Sequence, residues 1–444
     1  MASSAFPPRI TGPFSLAIPP TTYCPGSDVE GELVLEFPKV QEDQIDEINV
    51  QLRGSMDVSA LYFAQRIPSV EMRELIYAKK SLWTRGSAYP PPDSHVLRIP
   101  FSFHLPVGPK ILPSVSWDEY RDHVLISYHI EAVALRPRTL FAGDKKIRQR
   151  LAVVSRGDPV LCASIMSLRE VVGGPTWKTV HREKQMRRGI WGEYSTARVE
   201  LLIPNQHGIL PHCVDIPLLI KIKSTTARLA RAKADKHLEG KPIFPAPEFD
   251  AGSSPMFVRM RQKFTVRTGS TGDTKDSTNE TVLAYIKQED LRPGAYHKTW
   301  EADAVPGDRE EMGRWVQRWT LQPTVKLNRF PPTFTCELVD CAYTISVEVP
   351  FAGMGNSIEV SMPVTLDSGI DHAVPLRNGR GAAARQQHAE TASSIDASAS
   401  GVTDIPREEG PPSMPPTYFD AVYGDGEGDE AGDAAVSVPE KPRS

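Results

Sequence analysis

A chain of 444 residues, 40% apolar and 24% charged, is long enough for two or three domains and apolar enough to bury at least one sizeable core. Its 40 prolines argue against an all-helical protein, because proline interrupts helices and collects at strand edges, turns and tails. The net charge of −4 is unevenly spread: 13 of the 55 acids but only 6 of the 51 bases fall in residues 371–444, which leaves a body of 42 acids and 45 bases, mildly basic, joined to an acidic tail.

The opening "MASSAFPPRI" has no apolar h-region, so no signal peptide is expected. No apolar run approaches the ~20 residues of a membrane span. These features predict a cytoplasmic protein whose membrane contact is peripheral. Alternation then dominates. "VEGELVLEF" places Val29, Leu33, Leu35 and Phe37 on one side and Glu30, Glu32 and Glu36 on the other. "EINVQLRG", "VLRIPFSFHL" and "VLISYHIEAVAL" continue the pattern, which marks half-buried strands separated by turns such as "YCPGSD". The alternation fades over about 155–195, where the basic stretch "KTVHREKQMRRG" is expected to be irregular rather than a strand.

The same texture returns in "RVELLIP", "IPLLIKIKS", "FVRMRQKFTV", "TISVEV" and "IEVSMPVTL". In the last of these, Ile358, Val360, Met362, Val364 and Leu366 share one face. Within this half, "TTARLARAKADKHLEGK" offers only Leu229 and Leu238 as large apolar residues and predicts a loop with a helical turn or two. Many strands with proline-marked ends predict β-sandwiches, and 370 residues exceed one sandwich. The expected fold class is therefore all-β. It comprises two tandem antiparallel β-sandwich domains, 1–160 and 161–370, and a disordered tail over 371–444 too poor in large apolar residues to offset its ordering entropy.

No GxSxG, HExxH, Walker loop or GxGxxG appears, so no enzyme and no cofactor are expected. Asp425, Glu427 and Asp429 have calcium-ligand spacing but lack the turn glycine and final glutamate of an EF-hand, so no metal is expected either. The five cysteines are odd in number and form no CxxC, which predicts unpaired, mostly buried thiols in a reducing compartment.

Two features point to binding. The first is Pro415-Pro416-Thr417-Tyr418, a PPxY motif in the acidic tail. Adjacent prolines favour the extended polyproline II helix, which docks on aromatic-lined grooves such as those of WW domains, and Tyr418 fills a neighbouring pocket. The second is a pair of basic clusters. One holds Lys178, Arg182, Lys184, Arg187 and Arg188; the other holds Lys221, Lys223, Arg228, Arg231, Lys233, Lys236 and Lys241. Either would suit acidic or phosphorylated cargo tails or anionic lipid. Nucleic acid is not expected as a partner, because no aromatic residues interleave with the bases.

The ordered set "TYCPGSDVEGELVL", "INVQLRGS", "IPFSFHLPVGPKILPS", "ISYHIEAVAL", "LLIPNQHGILPHCVDIPLLIKIKS" and "YTISVEVPF…IEVSMPVTL", followed by PPxY, resembles the α-arrestin family, most of all its fungal members. The resemblance covers roughly 10–370. It implies two arrestin-like, immunoglobulin-like sandwiches and a non-enzymatic adaptor for protein transport. Through Pro415, Pro416 and Tyr418 the adaptor would recruit a WW-domain HECT ubiquitin ligase to membrane transporter or receptor cargo at the plasma membrane or endosomes, promoting ubiquitination and endocytosis. A signalling scaffold, as in fungal pH sensing, and a sorting-coat subunit are the alternatives. The chain departs from many fungal members in carrying a single PPxY, and 231–310 matches no family segment.

Overall fold

A computed structural model describes residues 12–61, 69–119, 122–137, 144–167, 177–187, 193–234, 241–249, 255–267, 274–287, 291, 294–303, 312–353 and 355–375. Among them the protein is mostly β-strand, with short helices at Phe37–Glu42, Pro159–Ser167 and Arg231–Ala234. No helix of the described residues is long and apolar enough to cross a membrane.

Residues 14–153 supply two sheets. Phe14–Ala17, Asp28–Glu36 and Val96–His104 form a small antiparallel sheet. A larger sheet runs in the order Val374–Pro375, Thr21–Tyr23, Lys145–Val153, Asp122–Leu135, Glu47–Ala60 and Ser69–Thr84, with Val115–Glu119 also paired to Asp122–Leu135. The alternating residues meet between them. Val29, Leu33, Leu35, Leu52, Phe101, Phe103 and Ile130 lie in one buried cluster. Phe37 departs from the expected strand face, because the following Pro38 opens a helix and the strand stops at Glu36.

Tyr128 anchors this half. Its ring is buried, its hydroxyl donates to the Leu112 carbonyl at 2.9 Å and accepts the Leu112 N–H at 3.0 Å. Both polar groups of a loop residue are thereby satisfied without water. The ring lies across Gly54, where an added Cβ would stand 2.6 Å from it, and the strand bulges between Gly54 and Ser55.

Residues 177–367 supply the other large sheets. One runs Trp177–Arg187, Tyr194–Pro204, Leu219–Thr225, Met312–Leu321 and Leu229–Ala230, with Tyr296–Ala302 paired to Met312–Leu321. The second runs Ile209–Pro211, Ser357–Asp367, Val339–Pro350, Met256–Arg267 and Thr274–Ile286, with Phe334–Thr335 paired to Val339–Pro350. All five alternating residues of "IEVSMPVTL" are buried here.

The basic stretch expected to be irregular is instead an edge strand, Trp177–Arg187, paired along its length with Tyr194–Pro204. Its core-side positions are Lys178, Val180, Arg182, Lys184 and Met186, since they stand opposite the buried Ile203, Leu201, Val199, Ala197 and Ser195. An edge strand that points charge inward is protected from pairing with other chains, and the same charges hide its period. The expected helical turn is present as Arg231–Ala234.

The two groups of sheets touch. Asp122, at the start of its strand, accepts the Leu61 N–H at 2.9 Å, the Lys275 ammonium at 2.6 Å and the Ser277 hydroxyl at 3.3 Å. Lys275 also donates to the Leu61 carbonyl at 2.8 Å. Beside this node the rings of Trp117 and Phe264 lie 4.8 Å apart, and the Arg73 guanidinium meets Glu337 at 2.6 Å. The chain also crosses back: Val374–Pro375 pairs with Thr21–Tyr23.

Candidate functional site

Pro415, Pro416 and Tyr418 lie outside the described residues, as do Arg188 and Lys236. The remaining basic residues fall into three settings, which the linear sequence does not separate.

Lys178, Arg182 and Lys184 face the neighbouring sheet. Arg182 donates to the Glu359 carbonyl at 3.4 Å, and Lys184 to the carbonyls of Gly355 and Ser357 at 2.9 and 3.3 Å. Lys178 packs over Gly208, where a Cβ would come within 2.7 Å of its ammonium. Arg182 and Lys184 thus bond to backbone oxygens at the open edge between two sheets and stay exposed there. Arg187 points to the opposite side and stacks over Tyr194 at 5.7 Å.

Lys221 and Lys223 have a different role. They alternate with the buried Ile220 and Ile222, so they project from the outer face of the sheet. Register aligns Lys223 with Arg198 on one side and Arg318 on the other, and Arg318 with His297. Strands lie about 4.8 Å apart, so these bases form one row across four strands. Acids interrupt the row only in part. Glu183 stands at its edge, Glu200 meets Arg198 at 2.8 Å, and Glu301 meets Arg318 at 3.6 Å. Arg198, Arg318 and His297 were not among the sequence candidates. Only strand pairing brings them to Lys223, although the alternation in "RVELLIP" already sets Arg198 opposite the buried positions.

Arg228 and Arg231 flank a third setting. Arg228 meets Asp303 at 2.6 Å, and the Arg231 guanidinium lies 5.4 Å over the Trp300 ring. Lys233 is exposed on the short helix. The sequence clusters therefore resolve into cations at a sheet edge, an outward basic row and a corner of ion-pair and ring contacts, and the row is the one that strand register extends across four strands. Among the described residues no group of histidine, cysteine and acidic side chains has the arrangement of a metal centre.

No protein-family model matches this chain, and no curated protein matches it.

Proposed function

We propose that this protein is an arrestin-like adaptor: two tandem β-sandwiches that carry cargo, and a tail that recruits a WW-domain HECT ubiquitin ligase. The observation that carries this reading is the PPTY at Pro415–Tyr418, placed in an acidic, apolar-poor tail after an all-β body. Support also comes from the two groups of sheets, residues 14–153 and 177–367, and from the order of family-like segments along them.

The mechanism is one of proximity. Pro415 and Pro416 present a pre-extended ligand that loses little entropy on docking, and Tyr418 supplies most of the apolar area and a hydroxyl. About 40 residues separate Pro415 from Pro375, a length of chain that can reach at most about 140 Å. That reach brings a bound ligase over both the adaptor body and a membrane protein held by it. Residues 371–444 contain one lysine, Lys441, so ubiquitin placed on the adaptor itself goes mainly to lysines of the body.

Cargo or anionic lipid is held by the outward row of Arg198, Lys223 and Arg318, with Lys221 beside it on the same strand face. Replacing Lys221 and Lys223 by glutamate should reverse part of the field of this face and weaken association with acidic peptide several-fold, with ligase capture unchanged. Binding by the wild type should fall steeply above ~0.15 M salt, where exposed charges are screened beyond about 8 Å. Salt-independent association would remove the row from the account.

The test of the function is proximity labelling of the protein in its own cells, compared with Tyr418→Ala. A HECT ligase should be enriched by the wild type and reduced at least ten-fold by the substitution, because loss of the aromatic anchor removes most of a small contact. Equal ligase labelling by both proteins would refute the proposal.

A further inference from the structure

Two of the five cysteines, 51 positions apart, meet in space. Cys162 lies on the helix Pro159–Ser167, in the connector that follows the last strand of the first group of sheets. Cys213 lies in the turn between Ile209–Pro211 and Asp215–Pro217 of the second group. Both thiols are free, and their sulfurs stand 3.1 Å apart. Cys162 is buried and Cys213 is half-buried. Closing this contact to the ~2.05 Å of a disulfide needs a sulfur displacement of only about 1 Å.

The surroundings are shaped for this pair. Gly369 holds a φ of +71°, and a Cβ there would overlap the Cys162 sulfur and stand 2.9 Å from the Cys213 sulfur. Its backbone is thus the lid over both sulfurs, and its carbonyl accepts the Cys162 S–H at 3.5 Å. The lid belongs to the segment whose Val374–Pro375 crosses back to Thr21–Tyr23. The Gly157 N–H also donates to the Ile370 carbonyl at 2.7 Å, so connector and lid are already joined by a backbone bond.

We propose that Cys162 and Cys213 form a reversible disulfide that locks the connector helix to the second group of sheets in response to hydrogen peroxide. The Cys213 sulfur attacks the peroxide, the O–O bond breaks, and Cys213 becomes a sulfenic acid as water leaves. The Cys162 sulfur then attacks the Cys213 sulfur, the S–O bond breaks, the S–S bond forms, and the oxygen departs as a second water carrying the Cys162 proton. One peroxide is reduced to two waters as two thiols are oxidised, and a dithiol reductant reverses the change. The division of labour follows from position. The hydrogen-bonded contact with Cys162 draws the Cys213 thiol below its ordinary value, and Cys213 is the half-buried member of the pair where Cys162 is buried. The same contact and burial push Cys162 up, as befits the resolving partner.

The test uses the full wild-type chain, treated with stoichiometric hydrogen peroxide, alkylated and digested without reduction. Two of the five thiols should become unreactive, and mass spectrometry should find a Cys162–Cys213 linked peptide that disappears with dithiothreitol. Cys162→Ser should leave a sulfenic acid at Cys213 that dimedone traps, while Cys341→Ser should leave the link intact. Five alkylatable thiols after treatment would overturn the proposal. So would links through other cysteines, or Cys213 sulfinic acid beside a still reactive Cys162. The wild-type arms decide the matter even where a variant fails to fold.

Discussion

Replacing Asp122 by alanine is expected to destabilise the protein by about 3 kcal/mol, seen as a lower urea midpoint. Its carboxylate is 8% exposed and receives three donors from two distant parts of the chain. Removing it leaves the Leu61 N–H without that acceptor and the Lys275 ammonium without its carboxylate. An unpaired buried charge alone typically costs 3–5 kcal/mol, but Lys275 is 31% exposed and recovers some hydration. Asp122→Asn keeps an acceptor for Leu61 and should lose less. Because the node joins the two groups of sheets, the alanine variant should also unfold over a broader range, as coupling between them weakens. An unchanged midpoint would show that the node contributes nothing to their docking.

Acid should weaken the fold between about pH 6.5 and 4 through His212. This ring is fully buried in the turn beside Cys213, and burial lowers its pKa to about 4, offset in part by its bond to the Asp367 carbonyl. The folded state therefore refuses a proton that the unfolded chain accepts near 6.5. The stability from neutral His212 is present above 6.5 and is lost as pH falls toward 4, by roughly 3 kcal/mol in all. His129, also lowered by burial, adds in the same direction. Asp367, raised by burial, acts oppositely around the carboxylate range. His212→Asn, which keeps a donor near the position of Nδ1, should flatten the urea midpoint over that window. The difference between wild type and variant isolates the histidine, and identical pH profiles would contradict the assignment.

Strands with one buried face were legible because their alternation is clean. "VLISYHIEAVAL" and "IEVSMPVTL" became Asp122–Leu135 and Ser357–Asp367. Polar edge strands were not legible. Trp177–Arg187 places Lys178, Arg182 and Lys184 on its inner side, and "TKDSTNETVLAYI" of Thr274–Ile286 is polar over its first half. Both lack the hydrophobic period on which such a reading depends. The site was legible only as far as it is local. Pro415–Tyr418 is a contiguous motif, and Lys221 with Lys223 is a strand alternation. The row joining Lys223 to Arg198, Arg318 and His297 is a product of register between strands far apart in sequence. The same holds for Asp122 with Lys275, and for Cys162 with Cys213, which the sequence marked only as buried thiols.

Calorimetric titration of the purified full chain with a recombinant HECT-ligase WW domain tests the proposed recruitment of a ligase by Pro415, Pro416 and Tyr418. A contact well below the ~1,200 Å² of a stable interface predicts saturable one-to-one binding in the roughly micromolar range, with fast exchange. Tyr418→Ala should abolish that binding, and Pro415→Ala should weaken it less. Binding should survive in the Lys221→Glu, Lys223→Glu protein. No heat of binding by the wild type, or an unchanged isotherm from Tyr418→Ala, would contradict ligase recruitment through this motif.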